Sequence, residues 1–190
     1  MKVEIAEELQ GTASKTLIEP IMGLAHGPPG TGKTVNIRWV QRMFMEALGW
    51  THGVQYVCLS DLNAMAANID GFIVHHWAGI PVGEEEGTAG TKDTAKMSTR
   101  CQCLRFIIID EISMISSELL TVLESIVTRV VRLRSGYKRR ADGSTRAFGG
   151  INLLVFGDWW QIAPVGGTAI FANPLIAYMR KGMDMFWSSG

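Results

Sequence analysis

Eight residues in the first quarter of the chain have the spacing of a loop that binds phosphate groups. They fit the pattern G-x-x-x-x-G-K-[ST] in full. The residues are Gly27, Pro28, Pro29, Gly30, Thr31, Gly32, Lys33 and Thr34. In such a loop glycines let backbone N–H groups converge on the phosphates, the lysine reaches the β and γ phosphates, and the hydroxyl binds magnesium. The run therefore predicts a site for ATP and Mg²⁺, with Lys33 on the phosphates and Thr34 on the metal.

A pair of acids, Asp110 and Glu111, directly follows the unbroken apolar run 106–109. An apolar strand that ends in an acid places that acid at the carboxyl edge of a parallel sheet, where ligands bind in such folds. We expect Asp110 to hold magnesium through its water shell and Glu111 to orient and deprotonate the attacking water. Acid pairs at strand ends also serve as helix caps, and that is the alternative reading.

A polar segment, Gly157 to Gln161, follows another apolar run, 151–156. An amide at this edge of a sheet could sense the γ phosphate and relay its loss, which makes Gln161 a candidate for that role. The alternative is a polar turn in which Trp159 and Trp160 only cover the core.

Strands and helices alternate along the sequence. Apolar runs predict strands at 21–25, 54–59, 106–109 and 151–156, and helical spacing predicts helices at 37–48, 61–69 and 115–133. We expect Asp61 to cap the second helix, residues 81–100 to form a surface loop, and 135–150 to form a basic connection. Alternation of this kind predicts an α/β fold with three layers around a mostly parallel central sheet. A length of 190 residues fits one domain, 1–190.

Composition limits the class of protein. The formal net charge is zero, so no overall field draws the molecule to nucleic acid or membrane. No run approaches the roughly 20 apolar residues that a membrane helix needs. The three cysteines lack the spacing of a zinc site, and we interpret them as reduced thiols. These features predict a soluble, intracellular protein.

Beyond the phosphate loop, five segments resemble motifs of the petite-integration-frequency (Pif-type) DNA helicases of superfamily one. The segments are 66–71, 73–80, 110–114, 149–151 and 157–165. The resemblance extends from about residue 23 to 187, and the motifs occur in order at sensible spacing. The RecD branch of helicases shares much of this pattern and is the nearest relative to exclude.

The resemblance implies an ATP-dependent 5′-to-3′ DNA helicase that acts in DNA repair and recombination. It implies that this chain is the first of two RecA-like motor domains, with single-stranded DNA as partner and no membrane. By the same motifs Lys33, Asp110, Glu111 and Gln161 would serve ATP hydrolysis, and His75 would contact the DNA backbone. In a eukaryote such a protein would work in the nucleus or the mitochondrion.

The chain departs from the family pattern in several places, including Trp159 and Ala163 in the third motif, where phenylalanine and proline are usual. His76 stands where a serine is common, which puts the DNA contact of His75 in doubt. A basic stretch between the second and third motifs contains Lys138, Arg139 and Arg140, which either contact phosphates of DNA or form a solvated face. The family's second motor domain, with its arginine finger, is expected after Trp187 but is not in the sequence.

Rival readings remain. An AAA+ ATPase would share the loop and the acid pair but would need an asparagine sensor, and a GTPase would need an Asn-Lys-x-Asp motif, which does not occur. Outside the enzymes, the chain could be a nucleotide-dependent DNA-binding module without turnover.

Overall fold

The computed structural model describes residues 19–81, 94–131, 138–140, 142–161, 164 and 167–170. Within them five strands form one sheet in the order β1-β5-β4-β2-β3, and every neighbouring pair is parallel. The strands are β1 Met22–His26, β2 Tyr56–Ser60, β3 Phe72–Ile73, β4 Phe106–Ile109 and β5 Asn152–Gly157. The predicted parallel α/β sheet is therefore confirmed, and β3 is a short strand that the sequence did not reveal.

Five α-helices connect these strands. They are α1 Lys33–Arg42, α2 Asn63–Asn68, α3 Val74–Ala78, α4 Thr94–Cys101 and α5 Ser117–Val130. A π-helical turn, Met43–Ala47, extends α1, and 3₁₀ turns occupy Ile112–Met114 and Ala147–Gly150. Ser116 caps α5, since its hydroxyl accepts a hydrogen bond from the backbone N–H of Leu119 at 3.0 Å.

Two hydrophobic clusters, one on each face of the sheet, form the core. Alternate residues of β4 divide between them: Phe106 and Ile108 pack under α1, whereas Ile107 and Ile109 pack against α3, α4 and α5. All four are at most 3% exposed. A strand covered on both faces is apolar throughout, which explains the unbroken run in the sequence. The result is the predicted three-layer arrangement.

The structure corrects two local expectations. The predicted surface loop 81–100 contains helix α4, whose Met97 is buried in the core together with Cys101. Asp61 does not cap α2: the residue at the cap position is Leu62, and no side chain bonds the helix end there. The first error arises because polar and glycine-rich composition indicated a loop where tertiary contacts stabilise a helix. The second arises because the helix begins one residue later than the cap pattern indicated.

The structure shows the state of the three cysteines and the length of the described helices. Cys58, Cys101 and Cys103 are free thiols, and burial raises the pKa of the Cys58 thiol to about 12. Among the helices that the structure describes, each is too short or too polar to cross a lipid bilayer.

Candidate nucleotide site

The phosphate loop leaves the end of β1 and enters α1. Its backbone is tied to the neighbouring strand, because the Gly27 N–H donates to the Gly157 carbonyl at 3.1 Å. Gly30 and Gly32 adopt φ angles of 79° and 88°, a left-handed conformation that favours glycine. Gly32 occupies the cap position of α1, so the loop ends at a helix N-terminus with backbone N–H groups free for an anion.

Lys33 folds back over the loop. Its Nζ donates to the Gly27 carbonyl at 2.6 Å and to the Pro28 carbonyl at 3.2 Å. The Thr31 hydroxyl bonds the Pro28 carbonyl at 2.8 Å and closes the turn. The ammonium group is thus held above the loop by neutral oxygens, which a phosphate would replace as a stronger, charged partner.

Asp110 lies at the carboxyl end of β4, two strands from β1, and is 4% exposed. Its Oδ1 accepts a hydrogen bond from the Glu111 N–H at 3.0 Å. Burial raises the pKa of this carboxyl, while the Glu111 N–H and the charge of Lys33 act to lower it. The loop follows β1 and the acid pair follows β4, and the parallel strands bring both to the carboxyl edge of the sheet.

Glu111 has a left-handed backbone, with φ 54° and ψ 50°. Its Oε2 is buried and finds no hydrogen-bond partner in the described part of the chain. Burial raises the pKa of the Glu111 carboxyl, the charges of Asp110 and Asp158 raise it further, and Lys33 opposes them. A strained backbone and an unpaired carboxylate oxygen favour a role with a ligand over a helix cap.

The segment after β5 enters the same site, because β5 lies between β1 and β4. Asp158 is buried, and its Oδ1 accepts from the Trp160 N–H at 3.0 Å; its carbonyl accepts from the Gln161 N–H at 3.1 Å. Gln161, half-buried, closes this turn after β5, the strand that lies between β1 and β4. Trp159 packs on the core as expected, whereas Trp160 is 86% exposed and covers nothing.

His26 is a member of the site that the sequence did not indicate. Its Nε2 lies 3.6 Å from Asp158 Oδ1, and its ring stacks on Trp159 with a centroid separation of 6.2 Å. The only signal in the sequence was its position at the end of β1, directly before the loop.

Magnesium fits the oxygen donors at this edge. Mg²⁺ takes oxygen ligands and keeps several of its waters, so one carboxylate and one hydroxyl beside a triphosphate suffice. Asp110 and Thr34 would supply that pair, and Glu111 Oε2, which has no partner among the described residues, would be available to a water.

His75 lies at the same edge of the sheet as the nucleotide site. It belongs to α3, which begins where β3 ends. Its Nδ1 is buried and lacks a hydrogen-bond partner among the described residues. Burial raises the pKa of the Asp61 carboxyl, and His75 acts to lower it, so the two side chains are neighbours.

The basic stretch lies at the opposite edge of the sheet. It follows the end of α5 and precedes the start of β5, where the strands begin. Lys138 is buried and donates to the Thr128 carbonyl, so the structure does not present it to DNA. Arg140 pairs with Glu19 at 3.0 Å, and Arg139 is exposed. Of the three predicted contacts, Lys138 is thus corrected, and Arg140 is partly neutralised.

The parallel sheet, the phosphate loop and the acids at its carboxyl edge define a P-loop nucleotide-binding protein. A family model, PIF1-like helicase, matches residues 13–181. The chain therefore belongs to the PIF1-like helicase family, and the resemblance seen in the sequence is confirmed.

Individual relatives agree. The chain is 33% identical over 142 residues to ATP-dependent DNA helicase PIF1 of Candida albicans, covering 73% of this chain and 14% of that protein. It is 32% identical over 143 residues to ATP-dependent DNA helicase RRM3 of Saccharomyces cerevisiae, covering 73% and 18%. The chain thus spans less than a fifth of the length of these relatives.

Solved structures show the same fold. The crystal structure of Pif1 helicase from Candida albicans matches with a TM-score of 0.58 and 26% identity, covering 86% of this chain and 33% of that one. Pif1 helicase from Bacteroides in complex with ADP-AlF3 and ssDNA matches with a TM-score of 0.59 and 23% identity, covering 78% and 31%.

Glu111→Gln should change how stability depends on pH. A carboxyl whose pKa is raised in the folded state binds more protons there, so the free energy of unfolding falls as pH rises from about 4.5 through the folded pKa. Gln cannot bind this proton, so the free energy of unfolding of the variant lacks this fall. The difference in free energy of unfolding, variant minus parent, should therefore increase as the pH rises through the folded pKa. Urea unfolding at pH 4 to 8, without nucleotide or metal, measures it. The exposed change Glu46→Gln is the control, and parallel pH curves for Glu111→Gln and the parent would contradict the prediction.

Proposed function

We propose that this chain is the ATP-binding motor domain of an ATP-dependent 5′-to-3′ DNA helicase, in which ATP hydrolysis drives movement along and unwinding of DNA. The observation that carries the proposal is that the phosphate loop, after β1, and the acid pair, after β4, lie at the same edge of the parallel sheet. The names of the relatives, ATP-dependent DNA helicases, support it. Repair and recombination of DNA are the processes it would serve, in the nucleus or mitochondrion of a eukaryote.

The triphosphate would bind over residues 27–34. Backbone N–H groups of the loop and the N-terminus of α1 would face the phosphates, and Lys33 would leave its two carbonyl partners for the β and γ phosphates. Thr34 and Asp110 would hold Mg²⁺, which supplies charge neutralisation on the phosphate oxygens.

Glu111 would act on the attacking water. Its unpaired Oε2 offers an acceptor, and its raised pKa brings the carboxyl closer to the value of an effective general base. Gln161 would report the γ phosphate; the proposal is supported by its place directly after β5, the strand that lies between β1 and β4.

Single-stranded DNA would bind near His75 rather than near the basic stretch that contains Arg139 and Arg140. His75 follows β3, which ends at the same carboxyl edge as β1 and β4 and lies two strands from β4. Arg139 and Arg140 lie at the other edge, and Arg140 is already paired with Glu19.

Movement along DNA would require a second motor domain in addition to this one. Stepping requires two domains that close on ATP and reopen after hydrolysis, and an arginine finger from across the cleft is worth about 10³ to 10⁵ in rate. We expect the 190-residue chain alone to bind Mg-ATP, hydrolyse it slowly and unwind no duplex. A DNA-binding module without turnover is the alternative, and the absence of any hydrolysis would favour it.

Lys33→Ala should abolish tight ATP binding, because the phosphates lose the lysine of the loop. Titration with a fluorescent ATP analogue measures the affinity. Arg42→Ala removes an equal charge from an exposed position farther along α1 and should leave the affinity unchanged. Equal affinity of Lys33→Ala and the parent for the analogue would contradict the assignment of residues 27–34 as the phosphate site.

Glu111→Gln should retain ATP binding and lose hydrolysis, because an amide can hydrogen-bond water but cannot take its proton. Release of phosphate in single-turnover experiments at high protein concentration measures the slow reaction. Hydrolysis at the parent rate by Glu111→Gln would assign Glu111 a structural role only.

His75→Ala should weaken binding of a fluorescent oligothymidine at low salt several-fold. The double change Arg139→Gln and Arg140→Gln should weaken it less, although it removes two charges, because these residues lie at the far edge. If the two arginines instead form phosphate contacts, their loss reduces the slope of log affinity against log salt by about 1.4. That result would indicate that DNA binds at the basic stretch rather than near His75.

A further inference from the structure

Ser60 is a buried serine whose hydroxyl group makes no hydrogen bond to the described residues. The residue is 0% exposed, and its Oγ has no hydrogen-bond partner in the described part of the chain. Buried hydroxyl groups are nearly always paired, because an unpaired one costs stability. No motif in the sequence singled it out.

The sheet places Ser60 beside Asp110. The register pairs Leu59 of β2 with Ile109 of β4, so the next residue of each strand, Ser60 and Asp110, lies level with the other. The Asp110 N–H donates to the Leu59 carbonyl at 2.9 Å, which extends the strand pairing through this position. Neighbouring strands are about 4.8 Å apart, so the two side chains are adjacent.

Both side chains point to the α1 face of the sheet. In β2, Tyr56 and Cys58 pack under α1, and Ser60 continues that alternation. In β4, Phe106 and Ile108 do the same, and Asp110 follows them. α1 begins at this edge with Lys33 and Thr34, the lysine and hydroxyl of the phosphate loop.

We infer that the Ser60 hydroxyl is a positioning group for the magnesium site, holding the water shell of the metal together with Asp110. The inference rests on the proposed function, since it requires Mg-ATP in the loop. Asp110 Oδ1 is engaged by the Glu111 N–H, which leaves Oδ2 for the metal or its waters. Magnesium keeps several waters, each of which donates hydrogen bonds, and a hydroxyl beside Asp110 accepts one.

The experiment measures the magnesium dependence of nucleotide binding rather than turnover. A fluorescent ATP analogue is bound at increasing Mg²⁺ by the parent chain, Ser60→Ala, Ser60→Thr and Ser60→Val. Thr and Val have the same shape and add the same methyl group, but only Thr keeps the hydroxyl. Affinity for the analogue in EDTA, without metal, is measured for all four as the control.

We expect Ser60→Ala and Ser60→Val to raise the Mg²⁺ concentration for half-maximal binding about 10-fold. Ser60→Thr should stay close to the parent, and the four affinities in EDTA should agree. Parent-like magnesium dependence in Ser60→Ala overturns the inference and leaves the proposed function standing. Absence of magnesium-dependent ATP binding in the parent chain itself overturns the proposed function instead.

Discussion

Two adjacent carboxylates at the end of a strand that is covered on both faces are the constraint on which this structure depends. Asp110 and Glu111 directly follow the buried strand β4, and burial raises the pKa of both carboxyl groups. Charge is costly there unless a cation is near. Lys33, at the start of α1, is the cation that the described fold brings to them, and magnesium would be the second.

The backbone of the phosphate loop is held at the same sheet edge as the two acids. Its tie to Gly157 at the end of β5 keeps the loop level with the acids, and its glycines leave N–H groups free at the start of α1. Lys33 rests on neutral carbonyls in the free chain. A bound triphosphate would offer the lysine a charged partner and would bring a metal to the acids, so both costs would fall.

The parallel sheet also separates two kinds of surface. All strands end at one edge, which therefore collects the loop, the acids, Gln161 and the helix of His75. The opposite edge holds the basic stretch, where Glu19 faces Arg140 and Arg146. Positive charge in the sequence here is partly neutralised by an acid from a distant part of the chain.

Patterns within short segments were readable from the sequence: the phosphate loop, the acids after an apolar run, and four of the five strands. Each depends on neighbours a few residues apart. Tertiary structure alone decided that 94–101 is a helix, that Lys138 is buried on Thr128, and that Ser60 stands beside Asp110. These outcomes depend on which segments meet in space, because burial and strand pairing join residues tens of positions apart, and no local spacing encodes such contacts.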